Sequence, residues 1–378
     1  MEIYLDNSAT TRVCREAAAA CCQAMETVFG NPSSLHKKGF AAEQLADLSK
    51  TQLAAALFCA PGELLFTSGA TEANNLALIG TAEALKRRGK TILTTAVEHP
   101  SVLEAAQELE RRGFRLKILP PAGPEGYTPE QFAQAVDEDT ILVSAMMVNN
   151  ETGLILPVKQ IAQAVKAKNP QTLVHADGVQ AFLKLPVRLK SSGLDLFSIS
   201  GHKAAAPKGI GALWIRKGVR LLPRSFGGGQ QAGLRSGTEP VQLYAAFGAA
   251  AEAQLPHLQE NLQHYRALKE GLLEQLASIP EVTVHSGENC APHIVSLAVR
   301  GIRSEILLHY LEQFEIYVSS GSACSKGKPS GVLEALGVDR RTADETVRVS
   351  FCADTTKEML EELVFRVKEG ISSLAKQR

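Results

Sequence analysis

TLVHADGVQ (172–180), DLFSISGHK (195–203) and GIGALWIRK (209–217) follow one another closely along the chain. Each carries a short apolar run that gives way to small or polar residues, the pattern of a buried strand running into a loop. Reading toward the N-terminus, DTILVSAMMVNN (139–150) is one more such run, and PVKQIAQAVKAKN (157–169) between them has helical spacing. Farther upstream the same alternation holds. GELLFTSG (62–69) reads as a strand and turn, TEANNLALIGTAEALKRRG (71–89) as a helix ended by Gly89, and KTILTTAVEH (90–99) as a strand. SVLEAAQELERRG (101–113) then reads as a helix and FRLKILP (114–120) as a strand. Strands separated by helices of ten or so residues predict βαβ units and a mainly parallel sheet, so an α/β fold.

The pattern changes near residue 255. Leu255, Leu258, Leu262, Tyr265, Leu268, Leu272 and Leu276 recur three or four apart, one face of a long amphipathic helix. EVTVHS, HIVSLAV, a helix over 303–314, IYVSSGSAC and a final helix over 355–374 follow, which reads as a smaller α+β domain beginning near residue 250.

At 378 residues the chain has room for about two domains. With 45% hydrophobic and 21% charged residues it can bury a sizeable core and is neither disordered nor fibrous. Lys plus Arg and Asp plus Glu are both 40, so the overall charge gives no reason to expect nucleic acid or an anionic membrane as partner. No apolar run reaches the ~18 residues of a membrane span. The acidic MEIYLD start is unlike a signal peptide, and a cytoplasmic protein is expected. The cysteines number seven, with no CxxC and no Cys/His cluster of zinc spacing, so no metal is expected and the thiols read as reduced.

Ligands on parallel sheets sit beyond the carboxyl ends of the strands. Thr67-Ser68-Gly69-Ala70-Thr71-Glu72 opens a helix there, with residues small enough to bring backbone N–H groups to a phosphate. A plain helix cap is the other reading; no Walker A or GxGxxG motif is present. His99 follows the next strand, and Asp177 with Gln180, then Lys203, follow later ones. Asp177 and Lys203 could be a structural ion pair. Together with a phosphate cup and a loop histidine they are also what pyridoxal phosphate requires: a lysine amine for its carbonyl and an acid beside its ring nitrogen. Arg348, in the strand-like ETVRVSF, is either an edge charge or a clamp for a substrate carboxylate. Ser319–Ser330 surrounds Cys324 with glycine, serine and the lysines Lys326 and Lys328. Such a segment should be mobile, and its cations would favour a thiolate, so Cys324 reads as a nucleophile.

These segments resemble the NifS/IscS-type cysteine desulfurases, of the class V aminotransferase group of fold-type-I PLP-dependent transferases. YLDNSATT (4–11), FGNPSSLH (29–36), FTSGATEANN (66–75), EHPSV (98–102), VNNETG (148–153) and HADGVQ (175–180) carry the resemblance, with SGHK (200–203), PKGIGAL (207–213), GGGQQAGLRSGTEP (227–240), SSGSAC (319–324) and VRVSF (347–351). The resemblance implies a large PLP-binding domain, 14–250, with a mainly parallel seven-stranded sheet between helices. A small α+β domain, 1–13 and 251–378, would carry the catalytic cysteine loop. Lys203 would hold the cofactor covalently, Asp177 would pair with its ring nitrogen, Gln180 would approach its phenolic oxygen, and His99 would stack on the ring and assist proton transfer. Ala70, Thr71, Ser200 and His202 would hold the phosphate, with Thr238 of a partner subunit, since the family is homodimeric. Asn150 and Arg348 would bind the carboxylate of L-cysteine, and Cys324 would take its sulfur as a persulfide, leaving L-alanine. The sulfur would pass to a cluster scaffold or a tRNA thiolase, with no direct nucleic acid contact and no membrane. Selenocysteine lyase or cysteine-sulfinate desulfinase activity, another class V PLP reaction, and a catalytically silent sulfur carrier are the alternatives. The sequence departs from the family at Arg12, where proline is usual, at Lys50, where arginine is common, and at Ala204-Ala205-Ala206. The Cys324 loop is compact, with Pro329 five residues on.

Overall fold

A computed structural model describes residues 2–123, 125–320 and 330–374. The chain begins with a short strand, β1 (Ile3–Tyr4), and two helices, α1 (Arg15–Thr27) and α2 (Lys37–Leu57). Strand β2 (Leu64–Thr67) leads into α3 (Ala70–Asn75), a wide π-turn (Leu76–Gly80) and α4 (Thr81–Leu85). Then come β3 (Thr91–Thr95), α5 (Pro100–Arg111), β4 (Arg115–Leu119), α6 (Pro129–Ala135), β5 (Thr140–Ser144), α7 (Val158–Lys168), β6 (Leu173–Asp177), β7 (Leu196–Ser200) and β8 (Gly211–Ile215). The strands from β2 to β8 form one seven-stranded sheet in the order β2-β8-β7-β6-β5-β3-β4. Its pairs are parallel except that β8 runs antiparallel to both β2 and β7.

Both faces of this sheet are covered except at its edge strand β4, whose RLKIL is partly exposed, which explains why the other strands read as apolar runs. Successive side chains point to opposite faces. Leu64, Phe66, Leu93 and Val143 join one core cluster with α1, α2, α7 and α8 (Val241–Gln254). Leu65, Ile92 and Leu142 join another with Leu76, Ile79, Val102 and Leu109.

The helix expected over 71–89 forms, with the π-turn inside it. The backbone at Leu222 presses there: Leu222 N–H donates to Gly80 O at 3.1 Å, and a Cβ on residue 80 would lie 2.8 Å from Leu222 O. A carbonyl drawn to an outside donor widens the helical turn. The turn between β2 and α3 requires Gly69, whose φ is +154°. Gly211 passes so close that a Cβ on it would sit 2.7 Å from Gly69 Cα.

The remainder is α9 (Leu258–Leu276), β9 (Val282–Val284), β10 (Ile294–Val299), α10 (Ser304–Glu312), β11 (Ile316–Tyr317), β12 (Ser319–Ser320), α11 (Gly331–Ala335), α12 (Arg340–Asp344), β13 (Thr346–Ser350) and α13 (Lys357–Ser373). Four of these strands make an antiparallel sheet, β12-β13-β10-β9, while β1 pairs parallel with β11. Leu255, first of the three-to-four series, lies in a separate helical turn before α9 and is half-buried, whereas Leu258, Leu262, Tyr265, Leu268, Leu272 and Leu276 of α9 are buried, as their spacing predicts. The last four of these share a core with Ile3, Leu5, β10, β13 and α13. Cys21 is half-buried and Cys22 exposed, since neighbours on a helix face different ways. Among the described residues no helix is long and apolar enough to cross a membrane, and no cluster of His, Cys, Asp and Glu has the makings of a metal site.

Candidate active site

The carboxyl ends of β3, β6 and β7 converge on a cavity of about 770 Å³. Asp177 ends β6, Ser200 ends β7, and Lys203 sits in the helical turn that follows. Ala70 and Thr71 open α3, and His99 caps the N-terminus of α5. These residues, with Asn150, Gln180, His202 and Arg348, all line the cavity.

Asp177 is 5% exposed. One carboxylate oxygen accepts Val179 N–H at 2.9 Å and the other accepts Asn74 Nδ2 at 2.8 Å. Asn74 Nδ2 also donates to Ser101 Oγ at 2.9 Å. The carboxylate fixes the Asn74 amide, because its oxygen would be repelled there. Ser101 Oγ therefore accepts from Asn74 and sends its own proton to His99 Nδ1, 2.8 Å away. Ser101 N–H donates to the same nitrogen at 3.1 Å. With two donors on Nδ1, neutral His99 carries its proton on Nε2. Burial lowers the His99 pKa; Asp177 raises it and Lys203 lowers it further. Beneath this relay, buried His175 bridges Ser144 on β5 and Ser198 on β7, at 2.8 and 2.9 Å. Burial drives it to about 4, so it stays neutral.

His202 is also held to about 4, by burial first and then by the cations Lys203 and Lys208. Lys203 and Lys208 thus place positive charge beside His202.

On the opposite wall, β13 presents Arg348, 6% exposed. Its Nη2 donates to Asp6 Oδ1 and its Nη1 to Asn150 O, both at 2.7 Å. Its Nε is buried without a partner among the described residues. Asn149 shapes the neighbouring loop: its Oδ1 accepts Glu151 N–H, Thr152 N–H and Thr152 Oγ1. Asn150 is left to face the cavity.

One expected participant does not line this cavity, and another cannot be placed against it. Thr238 lies in an exposed loop away from its own chain's cavity. Cys324 lies outside the described residues. The sequence reading missed Asp6, Asn74, Ser101, Glu98 and Lys208. YLDNSATT, TEANN, EHPSV and PKG held the signal, but nothing local told their lining residues from their structural ones.

The profile of the family described as Aminotransferase class-V matches residues 3–363. A NifS/IcsS protein homolog of Lactobacillus delbrueckii subsp. bulgaricus is 41% identical over 367 residues, 96% of this chain and 95% of that protein. Cysteine desulfurase IscS of Serratia proteamaculans is 36% identical over 382 residues, 99% of this chain and 94% of that protein. A solved structure titled NifS-like protein superposes with a TM-score of 0.94 at 36% identity, covering 99% of this chain and 100% of that one.

Proposed function

The chain belongs to the aminotransferase class-V family, with NifS/IscS-type cysteine desulfurases as full-length relatives, and we propose that it moves the sulfur of L-cysteine onto its own Cys324 and releases L-alanine. The meeting of Lys203 and Asp177 at adjacent strand ends, with Arg348 brought across from the small sheet, is the observation that carries this reading. Membership makes pyridoxal phosphate the cofactor. The residues fit it. A buried carboxylate with two fixed donors suits a pyridinium nitrogen, and the cations Lys203 and Lys208 beside His202 suit a phosphate. Lys203 would hold the aldehyde carbon, Asp177 the ring nitrogen, Gln180 the phenolic oxygen, and Ala70, Thr71, Ser200 and His202 the phosphate. When bound, the cofactor supplies an electron-withdrawing ring that stabilises negative charge next to the substrate α-carbon.

The chain's own residues do the rest. Arg348 Nε and a guanidinium nitrogen form the two-pronged donor for the cysteine carboxylate, with Asn150 beside it. Lys203 Nζ moves the α-proton, and His99 offers or takes a proton at Nε2. The Cys324 thiolate attacks the substrate sulfur. An S–S bond forms as the carbon–sulfur bond breaks, and the electron pair left on carbon takes a proton. Alanine leaves and a persulfide remains, with no external oxidant or reductant.

The reading extends to a homodimer in which Thr238 serves the partner's phosphate site. Exposed Phe29, Leu35, Phe40 and Phe226 supply apolar surface for that contact. The two domains would be 14–250, and 1–13 with 251–378. A cytoplasmic setting and delivery to a cluster scaffold or a tRNA thiolase complete the proposal.

Alanine formation from L-cysteine, with pyridoxal phosphate and a reductant, tests it. Wild type should form alanine and Cys324→Ala should not, while keeping the cofactor's visible absorbance. Equal alanine from both would place the nucleophile elsewhere; none from cofactor-loaded wild type would reject the substrate.

A further inference from the structure

A second cavity, of about 740 Å³, borders the N-terminal segment. Thr10 lines both cavities; Asp6, Ser8 and Ala9 line the first, and Asn7, Thr11 and Val13 the second. None of Lys203, Asp177 and Arg348 lines this second space.

Lys184 does, and it is only 6% exposed. Its ammonium has no hydrogen bond and no ion pair to any described residue; the groups around it are the Tyr265 ring, 5.8 Å away, the Cys352 thiol and the buried His293 imidazole, whose pKa lies well below the ordinary histidine value, chiefly through burial. An ammonium carries three donors, and leaving them dry is costly. Lys269, nearly as buried at 8%, donates to Gly287 O at 3.5 Å and Cys290 O at 3.3 Å. Lys184 has no such carbonyls and faces open space instead. Burial pushes its pKa down, with the Cys352 thiol acting the other way.

The surroundings narrow what could enter. Arg12, Arg15, Glu2 and Asp354 are exposed on the lining and balance one another. Among the described lining residues Lys184 is thus the one buried amine, and an entering carboxylate would hold it as an ammonium and be neutralised by it. A dianion would bury a second charge unpaired. Val13, Ala205, Met359 and the Tyr265 ring offer apolar wall, and the volume falls in the ~300–1,000 Å³ range of small-molecule sites.

We propose that this cavity is a second ligand site, for a small monocarboxylate with a hydrocarbon or aromatic body. The carboxylate takes the Lys184 ammonium and the body lies against Val13, Ala205, Met359 and Tyr265. The site does not depend on the desulfurase reading, because it shares none of the residues that would bind L-cysteine.

Titration of 4-fluorophenylacetate into the full-length, cofactor-loaded protein, followed by fluorine NMR, tests it. Binding should be saturable, should survive in Arg348→Ala, and should weaken at least ~10-fold in Lys184→Met, the loss of a charge-assisted hydrogen bond. Unchanged binding in Lys184→Met, loss in Arg348→Ala, or no saturable binding in wild type overturns the proposal. Should Lys184→Met fail to fold, Val13→Trp fills the space with Lys184 intact. It should abolish binding, and a variant that binds as wild type overturns the proposal equally.

Discussion

Asp177 and Arg348 are buried to the same degree, 5% and 6% exposed, and face one cavity from opposite sides. Asp177 is held by donors that stay in place, a backbone N–H and the Asn74 amide. Arg348 is held by Asp6, a carboxylate of the same kind the substrate would bring, and by one carbonyl, with Nε left over. Both oxygens of the Asp177 carboxylate are satisfied within the fold. On the proposed reading, Asp6 on the Arg348 side is a stand-in that a substrate carboxylate would displace. That reading gives one side to a resident group and the other to a visitor.

Arg348→Ala should have the largest effect and divides the two sides cleanly. It removes a desolvated two-pronged contact worth about 2–4 kcal/mol, so KM for L-cysteine should rise ~30–1,000-fold. Cofactor affinity should stay near wild type, measured by visible absorbance during dialysis. Loss of cofactor with an unchanged KM would break the comparison, because Arg348 would then belong to the resident side.

Ser101→Ala should act less strongly and on the other side. The variant leaves His99 Nδ1 with the backbone donor alone and removes Asn74's second acceptor. The tautomer of His99 is then weakly held, and kcat should fall roughly tenfold, a fraction of what general acid–base catalysis supplies. The limb of the kcat–pH profile that His99 sets should shift, and Ser101→Thr should restore it. A rise in KM with kcat and the profile unchanged would remove Ser101 from the relay.

Much of the architecture was legible in the sequence, and the comparison shows where legibility stopped. Apolar runs flanked by helices predicted the sheet, and a three-to-four spacing predicted the buried face of α9. Strand ends pointed to Asp177, Lys203 and His99. Periodicity could not see polar side chains that capture backbone. KTILTTAVEH reads as one strand, but β3 stops at Thr95, whose hydroxyl donates to Glu98 at 2.6 Å and helps tie the turn. DTILVSAMMVNN also reads as one strand, but β5 ends at Ser144 and the Asn149 side chain shapes the loop beyond. Nor could spacing show that β8 runs antiparallel between β2 and β7, or that Asp6 meets Arg348 from the far end of the chain. Such contacts are set by how the finished sheets stack.

The smallest predicted effect concerns how many charges the Asp177 side carries. Glu98, next to His99, is fully buried, and its Oε1 accepts Thr95 Oγ1 and Met146 N–H. Its Oε2 has no partner among the described residues. Burial drives its pKa up to about 8 against the two hydrogen bonds, and nearby Asp177 adds to the rise. Glu98 is therefore a neutral acid at pH 7, leaving Asp177 to supply the negative charge. Between the ordinary carboxylate value of 4.5 and about 8, the folded chain keeps this proton and the unfolded chain has lost it. Unfolding then releases a proton, so stability falls as pH rises through that window, by up to ~1.4 kcal/mol per pH unit. Glu98→Gln puts an amide where the protonated acid stands and removes that slope. Its stability in urea should match wild type at the acid end of the window and exceed it at the alkaline end. Desulfuration should change less than about twofold, since no transition-state contact is removed. Parallel stability curves across the window would mean that Glu98 is ionised throughout, and that the resident side carries two negative charges.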